Sequence, residues 1–418
     1  MSLHEVSRKL SKSRLECLLK PKLGRDLIVK ECKYTPNTKP GENYGSVMLA
    51  LEITICHTES SLSETLNVVA KFAPPTDFLQ SVFDFKNTFC KEMNLYKLVG
   101  PEIENMQKES EIPDEEILNV LAKFYGAQTS LRGDLDITAD DNAVLLLENL
   151  KVSGYKMADR LSGLDLKHSE LVVSKLAQFH ALPIALKHKK PKVFEKTVSK
   201  ATAFSNFVGG TGNLEKDLES ILKSMKQLIP ECGSYEARIR AHCDQYVKLA
   251  NKSLQKEPFA TIVHNDFWTN NIMFLYNNTH PTDVKFVDFQ ITLLCSPVKD
   301  LIFFLFSSVQ DEVLKEHYDH LINLYYLNFI NSLKRVGCDI SAFSYLKFLD
   351  EINEFAPTQF YHVLFMLNVI YAQKSDVKDL KDIDDNIEIV VGSGKTCRQK
   401  LYTHIEEFDK RGWLKKTV

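Results

Sequence analysis

Apolar and β-branched residues fall in short runs over the first third of the chain. Two such runs, 46–55 and 65–72, are separated by the polar stretch 56–64 and predict neighbouring strands of an antiparallel sheet. The period then changes. Val82, Phe85, Phe89, Leu95 and Leu98 recur at about helical spacing while Lys86, Lys91 and Lys97 keep the other face polar, so a helix follows the strands. Residues 101–116 are acidic and polar, and the apolar signal returns over 117–127 and over 143–150, the second a compact buried strand. Beyond Leu150 the stretches 164–182, 214–229, 237–254, 301–333 and 343–372 are mostly amphipathic helix. Only one strand pair, 271–276 and 284–288, interrupts them, joined by the turn-rich 277–283. The pattern predicts an α+β protein with a strand-rich N-terminal lobe, residues 1–147, and a mainly helical C-terminal lobe, residues 148–418.

A length of 418 residues accommodates two lobes and a large core. With a formal net charge of -3 the chain has no global field for a polyanion, so nucleic acid is not an expected partner and any phosphate must be held locally. The nine cysteines are scattered and never form a CxxC pair, a pattern suited to a reducing cytosol. Residues 1–24 lack the apolar centre of a secretory signal. The longest apolar stretches, 301–306 and 361–372, are too short to span a bilayer and read as buried helix faces. Cytoplasmic placement without membrane association is expected.

The chemistry concentrates in His264-Asn265-Asp266-Phe267-Trp268-Thr269-Asn270-Asn271, where a His stands two residues before an Asp and an Asn five residues after it. This is the spacing of a kinase catalytic loop. A carboxylate must meet the acceptor hydroxyl, and a neutral amide oxygen one turn later can hold magnesium without repelling phosphates. Asp266 is the candidate base and Asn271 a candidate metal ligand. After the apolar strand 284–287 comes Asp288-Phe289-Gln290, whose acid is the second candidate ligand. The same template asks for N-terminal parts. Gly41-Glu42-Asn43-Tyr44-Gly45-Ser46 offers a glycine turn before a strand, Lys71 places an ammonium on the apolar strand Val68-Val69-Ala70-Lys71-Phe72, and Glu92 lies on the following helix as its partner.

As a set, these residues resemble the ecdysteroid kinase-like family of insects, also called CHK kinase-like, a relative of choline kinases and aminoglycoside phosphotransferases. The resemblance is carried by Gly41-x-Asn43-Tyr44-x-Ser46, Val69-Ala70-Lys71, Leu147-Glu148-Asn149-Leu150 with Gly154-Tyr155 and Asp159-Arg160, and Leu176-Ala177-x-Phe179-His180-Ala181. The His264 loop and Val287-Asp288-Phe289-Gln290 with Ser296-Pro297-x-x-Asp300-Leu301 complete it. It implies a bilobal protein-kinase-like fold and ATP- and Mg2+-dependent phosphorylation of a small-molecule hydroxyl, an ecdysteroid or a dietary or plant-derived alcohol. It makes Asp266 the base, Asn271 and Asp288 the magnesium ligands, and Lys71 the phosphate contact held by Glu92. Asn43 and Ser46 would lie on the nucleotide, and 148–150, with Glu148 and Leu150, would be the hinge that reads adenine through its backbone. Asn265 stands where the family usually has Gly, and Asn tolerates unusual φ better than most residues.

Other features carry less. Residues 387–396 look like a phosphate loop but have Ile389 where the first glycine belongs, and the acidic run Asp376, Asp379, Asp382, Asp384 and Asp385 lacks the order of a calcium loop. His180 reads as a hydrogen-bonded core histidine, and Asp300 as a brace for the catalytic loop or the start of the next helix. A protein kinase would need a long activation segment after Asp288, whereas the apolar helix at 301 begins soon after it. The alternative to an enzyme is an inactive kinase-fold carrier or scaffold for a small hydrophobic ligand, against which the retention of Lys71, Asp266, Asn271 and Asp288 argues. No motif specifies the acceptor or the oligomeric state.

Overall fold

In the computed structural model, which describes residues 9–37, 46–58, 62–131, 138–207, 214–228, 233–250, 256–372 and 392–414, α1 (Lys12–Leu23) precedes β1 (Ile28–Pro36), β2 (Val47–Cys56) and β3 (Glu64–Phe72). Helices α2 (Asp77–Val82), α3 (Phe85–Asn94) and α4 (Gly100–Glu109) follow, with a π-helical turn, Leu95–Val99, joining the last two. Strands β4 (Phe124–Gln128) and β5 (Val144–Glu148) complete an antiparallel sheet of order β1-β2-β3-β5-β4.

Alternation along β3 decides what each sheet face does. Val68, Ala70 and Phe72 join Leu15, Leu18 and Leu19 of α1 in one small core. Lys71, one residue out of phase, points to the opposite face, where α3 lies. Helix α1 sits so close to β4 that a Cβ at Gly126 would collide with the Leu18 carbonyl. The second, larger core takes in Phe85, Phe89 and Tyr96 together with the interior of the helical region, so helix α3 belongs by packing to both parts of the molecule.

The helical region comprises a short strand β6 (Lys156–Met157), then α5 (Leu166–Lys189), α6 (Pro191–Ala201), α7 (Leu214–Leu228) and α8 (Glu236–Ala250). Strands β7 (Thr261–Val263), β8 (Ile272–Asn277), β9 (His280–Phe286) and β10 (Leu293–Cys295) interrupt it before α9 (Val298–Ser308), α10 (Asp311–Arg335), α11 (Tyr345–Phe355), α12 (Phe360–Ile370) and α13 (Gly394–Lys410). Every residue of α9 is buried, and among the described residues no helix is long and apolar enough to cross a membrane.

Several boundaries depart from the sequence pattern. The acidic stretch after Pro101 continues the helix to Glu109, because Pro is tolerated in a first turn and Ile103, Met106 and Gln107 are buried on one side. The hairpin turn is tighter than expected: β8 and β9 run to Asn277 and from His280, and Asn278 supplies the positive φ of 56°. The 301–333 segment is two helices, divided where Val309 is extended, and 343–372 is divided by a 3₁₀ turn, Ala356–Gln359. That hairpin is also not the only β structure here, since β6 joins β8 and β7 pairs with β10.

Candidate active site

The candidate site lies where the inner sheet face meets the β8–β9 hairpin. Lys71 Nζ, on β3, is 2.6 Å from Glu92 Oε2 of α3 and 2.6 Å from Asp288 Oδ1, just past β9. Glu92 is nearly sealed, its side chain 1% exposed, whereas Asp288 keeps 31%. Burial works against the Lys71 ammonium, but Asp288 and Glu92 outweigh it and hold its pKa above the ordinary value. Burial likewise opposes charge on Asp288, yet Lys71 and Gln290 prevail and keep it below the usual carboxylate range. Glu92 is pushed up by burial, with Lys71 drawing it part of the way back. Asp288 Oδ1 takes both Lys71 and Gln290 Nε2, the latter at 2.5 Å, and neither bond uses Oδ2.

The loop side is built by hydrogen bonds to backbone. Asp300, in the first turn of α9 and fully buried, accepts the N–H of His264 at 2.6 Å and of Asn265 at 2.8 Å. His180 is sealed in the core, bonded to Asp300 Oδ2 at 3.1 Å and to the Tyr325 hydroxyl at 2.7 Å. Both residues thus have the structural parts that their positions suggested. Because the Val287 carbonyl only accepts, His264 Nε2–H must donate to it, at 2.9 Å, and Nδ1 is free to accept the Asp266 N–H. The loop is thereby fixed to the strand that ends in Asp288, as is the Asn271 carbonyl, which accepts the Val287 N–H at 3.0 Å. Asn265 has φ 68°, the left-handed backbone that a glycine would supply without strain. Asp288 has φ 69°, so the loop and the acid at the end of the hairpin share this unusual geometry.

Asn271 Nδ2 donates to the Asp266 carbonyl at 2.7 Å and to Asp266 Oδ2 at 2.9 Å. Its Oδ1 is left to face elsewhere. Burial and the nearby Asp288 push the Asp266 carboxyl up to about 7, while hydrogen bonds from Asn271 and Trp268 pull the other way. Phe289 plugs the base of the site, with ring centroids 4.7 Å from His264, 5.7 Å from Phe179 and 5.8 Å from Tyr96.

The remaining sequence candidates are placed unequally. Ser46 is buried just before β2, while Asn43 and the rest of the glycine turn lie outside the described residues. Glu148 ends β5, and register sets it opposite Val68, three residues along β3 from Lys71. The N–H groups of Glu148, Asn149 and Leu150 donate to Lys123, Asn67 and Glu148 carbonyls at 2.8, 3.2 and 3.1 Å. Backbone donors of the predicted hinge are therefore engaged within the chain. The phosphate-loop decoy resolves differently: Gly394 opens α13, while residues 387–391 and the acidic run lie outside the described residues. Gln290 and Tyr96 received no role from the sequence. The Asp-Phe-Gln triplet was a signal for Gln290, and the i, i+4 spacing from Glu92 was one for Tyr96.

A magnesium ion and nucleotide phosphates fit this donor set. Asp288 Oδ2 and Asn271 Oδ1 are hard oxygens of the kind magnesium takes when phosphates supply its other ligands. Among the described residues no cluster of three or more His, Cys, Asp or Glu forms a cage of protein ligands alone.

The sheet, the lysine–glutamate pair and the loop together define an α+β protein of bilobal, protein-kinase-like fold. The profile of the ecdysteroid kinase-like family matches residues 40–338, and the chain belongs to that family. Among solved structures, Plasmodium vivax ethanolamine kinase is 11% identical, covering 92% of this chain and 85% of its own, with a TM-score of 0.42. A complex of spectinomycin phosphotransferase with ADP and spectinomycin is 11% identical, covering 97% and 99%, with a TM-score of 0.41. The GDP complex of wild-type aminoglycoside 2'-phosphotransferase-IIIa is 11% identical, covering 96% and 99%, with a TM-score of 0.38. Curated proteins give no match.

Proposed function

We propose that this protein transfers the terminal phosphoryl group of ATP to a hydroxyl of a small molecule, an ecdysteroid or a dietary or plant-derived alcohol. The observation that carries the reading is the convergence of Lys71, Glu92 and Asp288 with Asp266 and Asn271 at the end of one hairpin. In this reading residues 1–147 hold the phosphates, and residues 148–418 carry the hinge, the loop and the acceptor pocket. Glu148 and Leu150 border the adenine, and Asn43 and Ser46 lie on the phosphate side. The eight described cysteines are free thiols, which suits the proposed cytoplasmic setting.

Each residue has a distinct task. Lys71, kept charged by two carboxylates, places one of its three N–H donors on phosphate oxygens while Glu92 fixes its direction. Asp288 and Asn271 would hold magnesium, which neutralises phosphate charge when bound. Asp266, anchored through Oδ2 by Asn271, turns its other oxygen to the acceptor hydroxyl and takes its proton. A carboxyl near 7 is matched to that task, because it is substantially ionised at neutral pH yet basic enough to accept a proton. Asp300 holds the loop by its backbone, so Asp266 does not have to be repositioned at each turnover.

The test is a screen of ecdysteroids, phenolic glycosides and other hydroxylated compounds with ATP and magnesium, reading phosphorylated products by mass. A phosphorylated product formed by the parent and lost in Asp288→Ala is expected. A parent that phosphorylates nothing in the screen would transfer the reading to the carrier alternative.

A further inference from the structure

Tyr96 stands four residues after Glu92 on one continuous helical run, in the π-helical turn that follows α3. Residues at i and i+4 share a helix face, and a long side chain leans toward the N-terminus, so the phenol lies over the Glu92 turn. Its ring meets Phe289 edge-on, 5.8 Å between centroids, which places it against the residue that follows Asp288. The residue is 3% exposed, and among the described residues its hydroxyl has no hydrogen-bond partner. A buried donor left without an acceptor is destabilising, and phenylalanine would fill the same space without that cost. Burial holds the phenol's pKa well above the ordinary value, and the charges of Glu92 and Asp288 add to the rise.

The arrangement of Lys71 explains what an idle donor does there. Two of the three ammonium N–H donors of Lys71 serve Glu92 and Asp288. When the third N–H turns to phosphate oxygens the ammonium charge is shared three ways, and Glu92, sealed in the interior, keeps a smaller part of it. A buried carboxylate in that position needs a further donor. Gln290 already serves Asp288 and the Phe289 N–H already serves Glu92, so apart from the third N–H of Lys71 the phenol is, among the described residues, an uncommitted donor on this face.

We propose that Tyr96 is a positioning residue of the nucleotide cleft, its hydroxyl donating to the Glu92 carboxylate when Lys71 engages phosphate. The proposal rests on the phosphotransfer reading above. It accounts for a tyrosine where phenylalanine would be more stable in the empty protein.

The experiment compares parent, Tyr96→Phe, Glu92→Gln and the double variant in the full chain. Thermal melting without ligand should leave Tyr96→Phe equal to the parent or raised by a degree or two. Calorimetry with ATP and magnesium should show about 3- to 10-fold weaker binding for Tyr96→Phe, whereas adenosine, which has no phosphate, binds both alike. In the Glu92→Gln background the Tyr96→Phe loss should disappear. Equal ATP affinity of parent and Tyr96→Phe overturns the proposal, and so does a loss that persists without Glu92 or that extends to adenosine. A parent that binds no ATP overturns the phosphotransfer reading itself, and the role of Tyr96 with it.

Discussion

The two sides of the cleft handle buried carboxylates in opposite ways. On the sheet side, Asp288 sits 2.6 Å from an ammonium and is held below the ordinary carboxylate range. On the loop side, Asp266 meets only neutral donors and rises to about 7. Residue type is the same. What differs is whether a cation was placed beside it, and this divides an acid suited to binding a metal from an acid suited to taking a proton. The two are close enough that the Asp288 carboxylate itself contributes to the rise at Asp266, so one side of the cleft shifts the acid on the other.

The strongest way to break the comparison is Asp266→Asn, which keeps the shape and removes the basic oxygen. Turnover should fall about 10²- to 10⁴-fold while ATP affinity stays within about twofold. In the parent, kcat/KM should rise with pH through about 7 and level off above it, because the ionised form is the active one, and the variant should lack that limb. Unchanged turnover would strip Asp266 of the base role.

Next in size is Lys71→Met, which takes the cation from two carboxylates at once. Removing one partner of a buried pair leaves uncompensated charge, so a loss of about 3 kcal/mol in stability should accompany at least tenfold weaker ATP binding. Denaturant melts together with calorimetry read both. A variant as stable as the parent would show that the carboxylates do not depend on Lys71.

The smallest effect sharpens the role of burial. Glu351 on α11 is 4% exposed, its Oε1 has no hydrogen-bond partner among the described residues, and burial pushes it up to about 7 without any proposed chemistry. Its folded pKa exceeds the ordinary value of 4.5, so the native state binds more protons between those values and stability falls as pH rises from 4.5 to about 7. Glu351→Gln should therefore raise the melting temperature by a few degrees at pH 8 and change it little at pH 4.5. Equal effects at both pH values would show that this carboxyl titrates normally.

The site was legible in the sequence where chemistry fixes spacing within a short segment. His264, Asp266 and Asn271 must share one loop, and Asp288 must end the strand that returns to it, so their order alone located them. Lys71 was legible because an ammonium interrupts an apolar strand. The surrounding framework was not. Strand β1 is an edge whose Lys30, Glu31, Lys33 and Pro36 mask any apolar alternation, and α1 carries Pro21 with only Leu15, Leu18 and Leu19 buried. The role of Tyr96 depends on Phe289 and Asp288, which local pattern cannot connect to it.

The bond between Lys71 and Asp288 joins residues 217 positions apart, whereas Lys71 and Glu92 are separated by 21. At about 5–20 residues per second on the ribosome, Lys71 waits roughly 10 to 40 s for its second partner to be synthesised. The small core that packs α1 on the sheet draws only on residues from Leu10 to Leu146. All residues of that core are therefore made before Asp288, whose arrival supplies the second carboxylate of Lys71.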